Sequence, residues 1–318
     1  MSVTPSVIGS ERSEIGLPAA AAVLRSGGSA LDAVEAALRA CEDNLADHYV
    51  GTAGLPNARG VVELDASVMV GSSRAFGAVG ALQGYPNPIS VARAVMERLP
   101  QHCLLVGEGA ANFAAECGFA TADLTTEESR RMFAEALSEA NSGANVEGER
   151  EEGSAGDRAY RQAALDLVRR FAPHDGPWGT INVLALDASG ELVVGVSTSG
   201  YPWKYPGRLG DTPLPGSGTW ADLRGGGAAC TGRGELSMRS GTARTVVEAL
   251  RRGEDVEQAC REALADAATL PDTFRSELRV LALTPDGRHG GAAGSASATY
   301  ALMTPDHDEP EICRRSVL

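Results

Sequence analysis

The sequence predicts an α+β fold, a four-layer αββα sandwich in which two antiparallel sheets face each other between layers of helix. Three observations predict it. Apolar runs of strand length come in hairpin-like pairs, and segments with apolar residues at helical spacing are grouped in blocks between them in both halves of the chain. Of the 318 residues, 43% are hydrophobic, enough to fill a sizeable buried core. No internal repeat of fixed period interrupts this pattern.

Taken in order, Ser6-Val7-Ile8 reads as a short strand, and LPAAAAVLRSGG as a helix stopped by Gly27 and Gly28. Ser29 then caps a second helix whose Leu31, Val34, Leu38 and Cys41 fall on one face. The runs VVELDASVMV (61–70) and AFGAVGAL (75–82) predict paired strands, and PISVARAVMERL a helix with Pro88 in its first turn. Residues 141–157 are rich in Gly, Ser and Glu with almost nothing to bury, the composition of a surface linker. A helix (AYRQAALDLVRRF) and the breaker-rich PHDGPWG follow. Two apolar runs then flank Asp187-Ala188-Ser189-Gly190, a hairpin signature. Beyond a Gly- and Pro-rich loop (200–227) come a strand at AACTG and helices around TARTVVEALRRG and DVEQACREALADA. A second hairpin is read at LRVLALTPDG…GSASATYALM.

The formal net charge of -14 and a pI near 4.9 repel polyanions, and no basic patch offsets them, so no nucleic-acid or anionic-membrane partner is expected and the substrate should be small or neutral. The six cysteines form no Cys-x-x-Cys pair, which argues against a disulfide framework. No charged start leads into an apolar stretch at the N-terminus, and no run approaches the roughly 20 apolar residues of a membrane span. A cytoplasmic protein is the expectation.

The five histidines are scattered, with no HExxH and no Cys/His pair at zinc-ligand spacing, so no metal is expected. Gly-x-Ser-x-Gly and a phosphate-binding Walker loop are both missing, and Gly232-Arg233-Gly234 is only a fragment of a glycine-rich pattern. What remains is the stretch Gly179–Glu235. It carries Gly179-Thr180 before a strand, then Ser197-Thr198-Ser199-Gly200, Pro206-Gly207-Arg208-Leu209-Gly210-Asp211-Thr212-Pro213, Gly216-Ser217-Gly218-Thr219, Ala221-Asp222, and Cys230-Thr231-Gly232-Arg233-Gly234-Glu235. In this order and spacing these motifs resemble the glycosylasparaginase (aspartylglucosaminidase) and plant-type asparaginase / isoaspartyl peptidase family of N-terminal-nucleophile hydrolases. In the first half SGGSALDAVEAALRACE, GLPN, VELDAS, GAVGAL, NPISVARAVM and LLVGEGA resemble it too. The resemblance spans roughly residues 5–300 and leaves out 141–157 and the last dozen residues.

The chemistry explains why such residues are wanted. A threonine hydroxyl needs a base, and an N-terminal threonine supplies one in its own α-amine, whose pKa of about 7.7–8.0 leaves it partly neutral at working pH. Thr180 has a free amine only if the Gly179–Thr180 bond is cut, so activity and processing are one expectation. Gly179 suits that bond because it tolerates a strained backbone and leaves its carbonyl open to the Thr180 hydroxyl. An aspartyl group needs a cation for its α-carboxylate and an anion for its α-ammonium, and Arg208 and Asp211 lie in one Gly/Pro-shaped loop able to present both, as the matching residues do in the family. The resemblance further implies that the Thr231 hydroxyl and Gly232 N–H hold the developing oxyanion and that Thr198 holds the nucleophile. Taken singly, each has a plainer reading: Thr180 and Thr198 as strand residues, Arg208 and Asp211 as a surface ion pair, Thr231-Gly232 as a strand end. Their co-occurrence weighs against all of these. His174-Asp175 and Trp178 are read as loop residues beside the cut.

The pattern departs from the family in three places. His174-Asp175 is separated from Thr180 by Gly-Pro-Trp-Gly, Ser10-Glu11 replaces a Thr-Trp whose indole lines the family pocket, and Ala53-Gly54 replaces a glycine pair. A carboxylate at position 11 is expected to add negative charge near the leaving group. The reading is thus one domain of two self-processed chains, 1–179 and 180–318, that hydrolyses the side-chain amide of N-glycosyl-asparagine or a related asparagine or β-aspartyl compound. No cofactor is expected, and the resemblance implies a homodimer of processed protomers. The alternatives are isoaspartyl peptidase or L-asparaginase activity at the same site, or a non-processing or acyl-transferring homologue.

Overall fold

The computed structural model describes residues 4–142, 165, 168–169, 179–272 and 277–318. Most of the linker read at 141–157, most of the helix read at 159–171, and His174, Asp175 and Trp178 lie outside the described residues.

The chain opens with β1 (Ser6–Ser10), α1 (Leu17–Arg25) and α2 (Ala30–Glu42). Ser29 caps α2 by accepting the Asp32 amide at 3.1 Å, an interaction worth about 1 kcal/mol. Then come β2 (Leu64–Val70), β3 (Phe76–Leu82), α3 (Pro88–Arg98), β4 (Leu104–Val106), α4 (Gly107–Glu116) and α5 (Glu127–Ser142). The hairpin read around Asp187 forms from β5 (Ile181–Leu186) and β6 (Leu192–Thr198), its turn tied by the Asp187 carboxylate to the amides of Ser189 and Glu191. The remaining elements are β7 (Thr219–Asp222), β8 (Gly226–Gly232), α6 (Gly234–Ser240), α7 (Thr242–Arg251), α8 (Val256–Ala268), β9 (Leu278–Leu283), β10 (His289–Ala293), β11 (Thr299–Met303), β12 (Glu311–Arg314) and β13 (Ser316–Val317).

These strands build two sheets, one of eight strands in the order β12-β11-β1-β5-β6-β2-β3-β4 and one of five in the order β13-β10-β9-β8-β7. Strand β5 shows how the sequence sets both faces of the larger sheet. Val183 and Ala185 join the cluster formed with α1–α4, whereas Leu184 and Leu186 join the one shared with Ala229, Leu281 and Leu283 of the smaller sheet. A strand buried on both faces therefore reads as the run INVLAL, apolar but for Asn182. The opposite face of the smaller sheet, with Cys230 and Val280, packs on α6–α8. Gly195 in β6 lets α2 come close, since a Cβ there would sit 2.3 Å from Val34 Cγ1.

The second hairpin is corrected. Strand β9 pairs not with the ATYALM run but with β10, HGGAA, while ATYALM forms β11, which pairs with β1 in the other sheet through Val7↔Met303 and Ile8↔Leu302. Glycines disguise β10 as a loop, yet they let α8 approach it: a Cβ on Gly290 would lie 3.1 Å from Glu257. All six cysteines are free thiols. No described helix is long and apolar enough to cross a membrane.

Candidate active site

Thr180 immediately precedes β5, and the pairing Ile181↔Ser197 sets it opposite Thr198 at the end of β6. Their hydroxyls are 3.4 Å apart, and the Gly200 amide donates to Thr198 Oγ1 at 2.9 Å. Six of the seven residues singled out from the sequence, Gly179, Thr180, Thr198, Arg208, Asp211 and Gly232, line one cleft with about 280 Å³ of open space. The seventh, Thr231, precedes Gly232 in β8, and its Oγ1 accepts from Asn182 Nδ2 at 2.9 Å.

Gly179 has no room for a side chain: a Cβ would lie 1.7 Å from Tyr49 Cβ and 2.2 Å from its Cγ. On the other side of Thr180, Ser10 Oγ is 3.4 Å from the Thr180 carbonyl oxygen and accepts the Asn182 amide at 3.0 Å.

Arg208 and Asp211 both reach the cleft, but not as a pair. The Arg208 Nε and Nη2 donate to Glu235 Oε1 at 3.1 and 2.9 Å, and its guanidinium lies 4.3 Å from the Tyr201 ring centroid. Glu235 is itself held by Arg233, 2.8 Å away. Asp211 is buried, and burial pushes its carboxyl up to about 6 against the opposing effects of the Ser237 hydrogen bond and the Arg208 charge. Its Oδ2 has no hydrogen-bond partner among the described residues.

Asn182, Glu235 and Glu42 were not singled out from the sequence. Asn182 left one signal, a lone amide in an apolar strand. Glu42, fully buried at the end of α2, accepts the Ser197 hydroxyl at 2.7 Å and the Ile89 amide at 3.2 Å, fixing the residue before Thr198. Burial raises its carboxyl from 4.5 to about 8, aided by the nearby charge of Asp43 and opposed by the Ser197, Ile89 and Asn87 hydrogen bonds. The folded chain thus keeps a proton that the unfolded chain has released, so stability is full below pH about 4.5 and falls as pH rises through about 8. Glu42→Gln is expected to flatten the decline of the urea midpoint between about pH 5 and pH 8; an unchanged slope would show that another group titrates.

Two departures acquire a structural form. Ala53, fully buried, takes the left-handed conformation at φ 71°, where an L side chain costs roughly 1–2 kcal/mol. Glu11 does not bring an unpaired charge: Arg279 Nη1 and Arg315 Nη2 donate to it at 3.0 and 3.1 Å, as does the Thr299 amide at 3.0 Å. Burial works against its ionisation, but Arg315, Arg279 and the backbone bond together hold its carboxyl below the usual range. No group of three or more His, Cys, Asp or Glu among the described residues is placed to hold a metal ion.

A family model described as Asparaginase matches residues 14–310. Over 287 residues the chain is 37% identical to a plant-type L-asparaginase of Pyrococcus furiosus, covering 89% of this chain and 86% of that protein. It is 34% identical over 299 residues to the N(4)-(beta-N-acetylglucosaminyl)-L-asparaginase of Mus musculus, covering 90% and 84%. With a probable isoaspartyl peptidase/L-asparaginase 3 of Arabidopsis thaliana it shares 32% identity over 304 residues, covering 90% and 84%. The family so matched is one of amide-cleaving hydrolases. The chain belongs to it: it is a member of the asparaginase family of N-terminal-nucleophile hydrolases that holds the plant-type L-asparaginases and the glycosylasparaginases.

Proposed function

We propose that the chain cuts its own Gly179–Thr180 bond and that the freed Thr180 hydrolyses the side-chain amide of N-glycosyl-asparagine or a related asparagine or β-aspartyl compound. The observation that carries this reading is the convergence of Thr180, Thr198, Arg208, Asp211 and Gly232 on one cleft, although they come from four separate stretches of chain. The names of the relatives support the substrate class.

In processing, Thr180 Oγ attacks the Gly179 carbonyl carbon; an ester forms, the C–N bond breaks, and the nitrogen leaves as the Thr180 α-amine. Water then splits the ester, giving a Gly179 carboxylate and the free hydroxyl. In catalysis that amine takes the hydroxyl proton while Oγ attacks the substrate amide carbon. The Thr231 hydroxyl and Gly232 N–H receive the oxyanion, Thr198 holds the nucleophile, Arg208 and Asp211 bind the α-carboxylate and α-ammonium, and the leaving amine takes the proton. Water releases aspartate from the acyl-enzyme and restores Thr180. The three hydrophobic clusters that lie against the two sheets support the four-layer αββα arrangement. The processed chains 1–179 and 180–318 form one domain, and the processed protomer forms a homodimer.

Intact-mass analysis of the incubated protein is expected to show two polypeptides, the second beginning at Thr180, together with hydrolysis of at least one of asparagine, N-acetylglucosaminyl-asparagine and a β-aspartyl dipeptide. An uncut chain that still hydrolyses these amides would overturn the mechanism.

A further inference from the structure

Strand order gives the cleft a direction. In the larger sheet β5 lies between β6, which leads into the loop of Arg208 and Asp211, and β1, which ends at Ser10 beside the Thr180 carbonyl. In the smaller sheet β8 lies between β7 and β9. With the substrate's α-groups on Arg208 and Asp211 on the β6 side and its acyl carbon at Thr180, the side of Thr180 away from that loop is the one bordered by β1 and β9.

Four charged residues gather on that side. Arg279 in β9 stands opposite Thr231 in the antiparallel register, so the two side chains share a face. Its Nη1 donates to Glu11, the residue after Ser10, at 3.0 Å, and its Nε and Nη2 donate to Glu277 Oε2 at 2.8 and 2.7 Å. Glu277 Oε1 is occupied by the Ser295 amide at 2.6 Å. Arg315, its side chain fully buried, backs the group: Nη2 donates to Glu11 at 3.1 Å, Nη1 to the Val280 carbonyl at 2.6 Å and Nε to the Thr299 carbonyl at 2.9 Å. Glu11 and Arg315 lie outside residues 14–310, the span that the family model matches.

The two arginines differ in what they leave available. Arg315 is sealed, whereas the Arg279 side chain is 28% exposed. A guanidinium has five N–H groups, and the bonds above use three of those on Arg279. One N–H on each terminal nitrogen has no partner among the described residues and can donate to a carboxylate. Glu11 and Glu277 fix this guanidinium, and Arg315 offsets the charge of Glu11.

We infer that Arg279, held in place by Glu11, Glu277 and the C-terminal Arg315, is a specificity-determining residue that reads a carboxylate on the leaving group, so that the preferred substrate is a β-aspartyl dipeptide with a free C-terminal carboxylate. This rests on the activity proposed above and goes beyond it by assigning the leaving-group side of the cleft.

The test compares kcat/KM of the self-processed protein on a β-aspartyl dipeptide, on the same dipeptide with its C-terminus amidated, on asparagine and on N-acetylglucosaminyl-asparagine. The free acid is expected to be cleaved at least roughly tenfold faster than the amide, the loss of one charge-assisted contact. It should also outrun the glycosylated substrate. In Arg279→Gln the acid-to-amide ratio should fall to within about twofold of one, whatever the absolute rate. A wild-type ratio near one, faster turnover of the glycosylated substrate, or a ratio that persists in Arg279→Gln overturns this inference and leaves the proposed activity standing. The wild-type ratio decides the matter even if the variant fails to fold. A processed protein inactive on all four compounds overturns the proposed activity, and this inference with it.

Discussion

Thr180→Ala is expected to remain a single full-length polypeptide and to lose roughly a thousandfold or more of its hydrolytic activity. Both losses have one cause. Without the hydroxyl no ester can form with Gly179, so no α-amine is released, and the base and the nucleophile disappear together. Thr180→Ser, which keeps a hydroxyl, should still cut. Gly179→Ala tests the other side of the bond: its Cβ would fall 1.7 Å from Tyr49 Cβ, so the segment must shift and the carbonyl with it. Slower processing with Thr180 intact is the expected result. Mass spectra over a time course distinguish the three variants, and cleavage at the same bond in Thr180→Ala would remove Thr180 from the mechanism.

Legibility of the fold in the sequence depended on how far apart the interacting groups lie. The Ser29 cap, Pro88 at the start of α3 and the turn at Asp187 are local devices, and each produced the element read from it. Strand β10 was hidden because its glycines satisfy a distant helix, not a local strand preference. Among the site residues, the threonines and the Arg208 loop were visible as motifs. Their supports were not: Glu42 reaches Ser197 across 155 positions, and Glu11 reaches Arg315 across 304. Nothing in the spacing of such residues marks them as partners. That the negative charge expected at Glu11 is offset was hidden for the same reason, since its two arginines come from β9 and from the link between β12 and β13.

Asp211→Asn is expected to lower kcat/KM by roughly a hundredfold, chiefly through KM, while making the unliganded protein more stable above pH about 6. The two effects share one physical origin. Burial raises the carboxyl from 3.8 to about 6, so the folded chain retains a proton the unfolded chain has lost; stability is full below pH about 3.8 and falls as pH rises through about 6. At neutral pH the protein therefore bears a buried anion with one oxygen lacking a hydrogen-bond partner among the described residues. A substrate α-ammonium supplies that partner, so binding recovers part of what folding loses. Below pH about 6 the acid is protonated and offers the ammonium no charge, and wild-type KM should rise as pH falls through this range. Asparagine weakens this limb by removing the titrating group, and it relieves the buried charge in the free protein. Calorimetric Tm at about pH 5 and pH 7.5, read beside KM at the same two values, checks both halves. A variant that loses affinity without gaining stability at the higher pH would mean that Asp211 is already neutralised from within the chain, leaving the ammonium to be bound elsewhere.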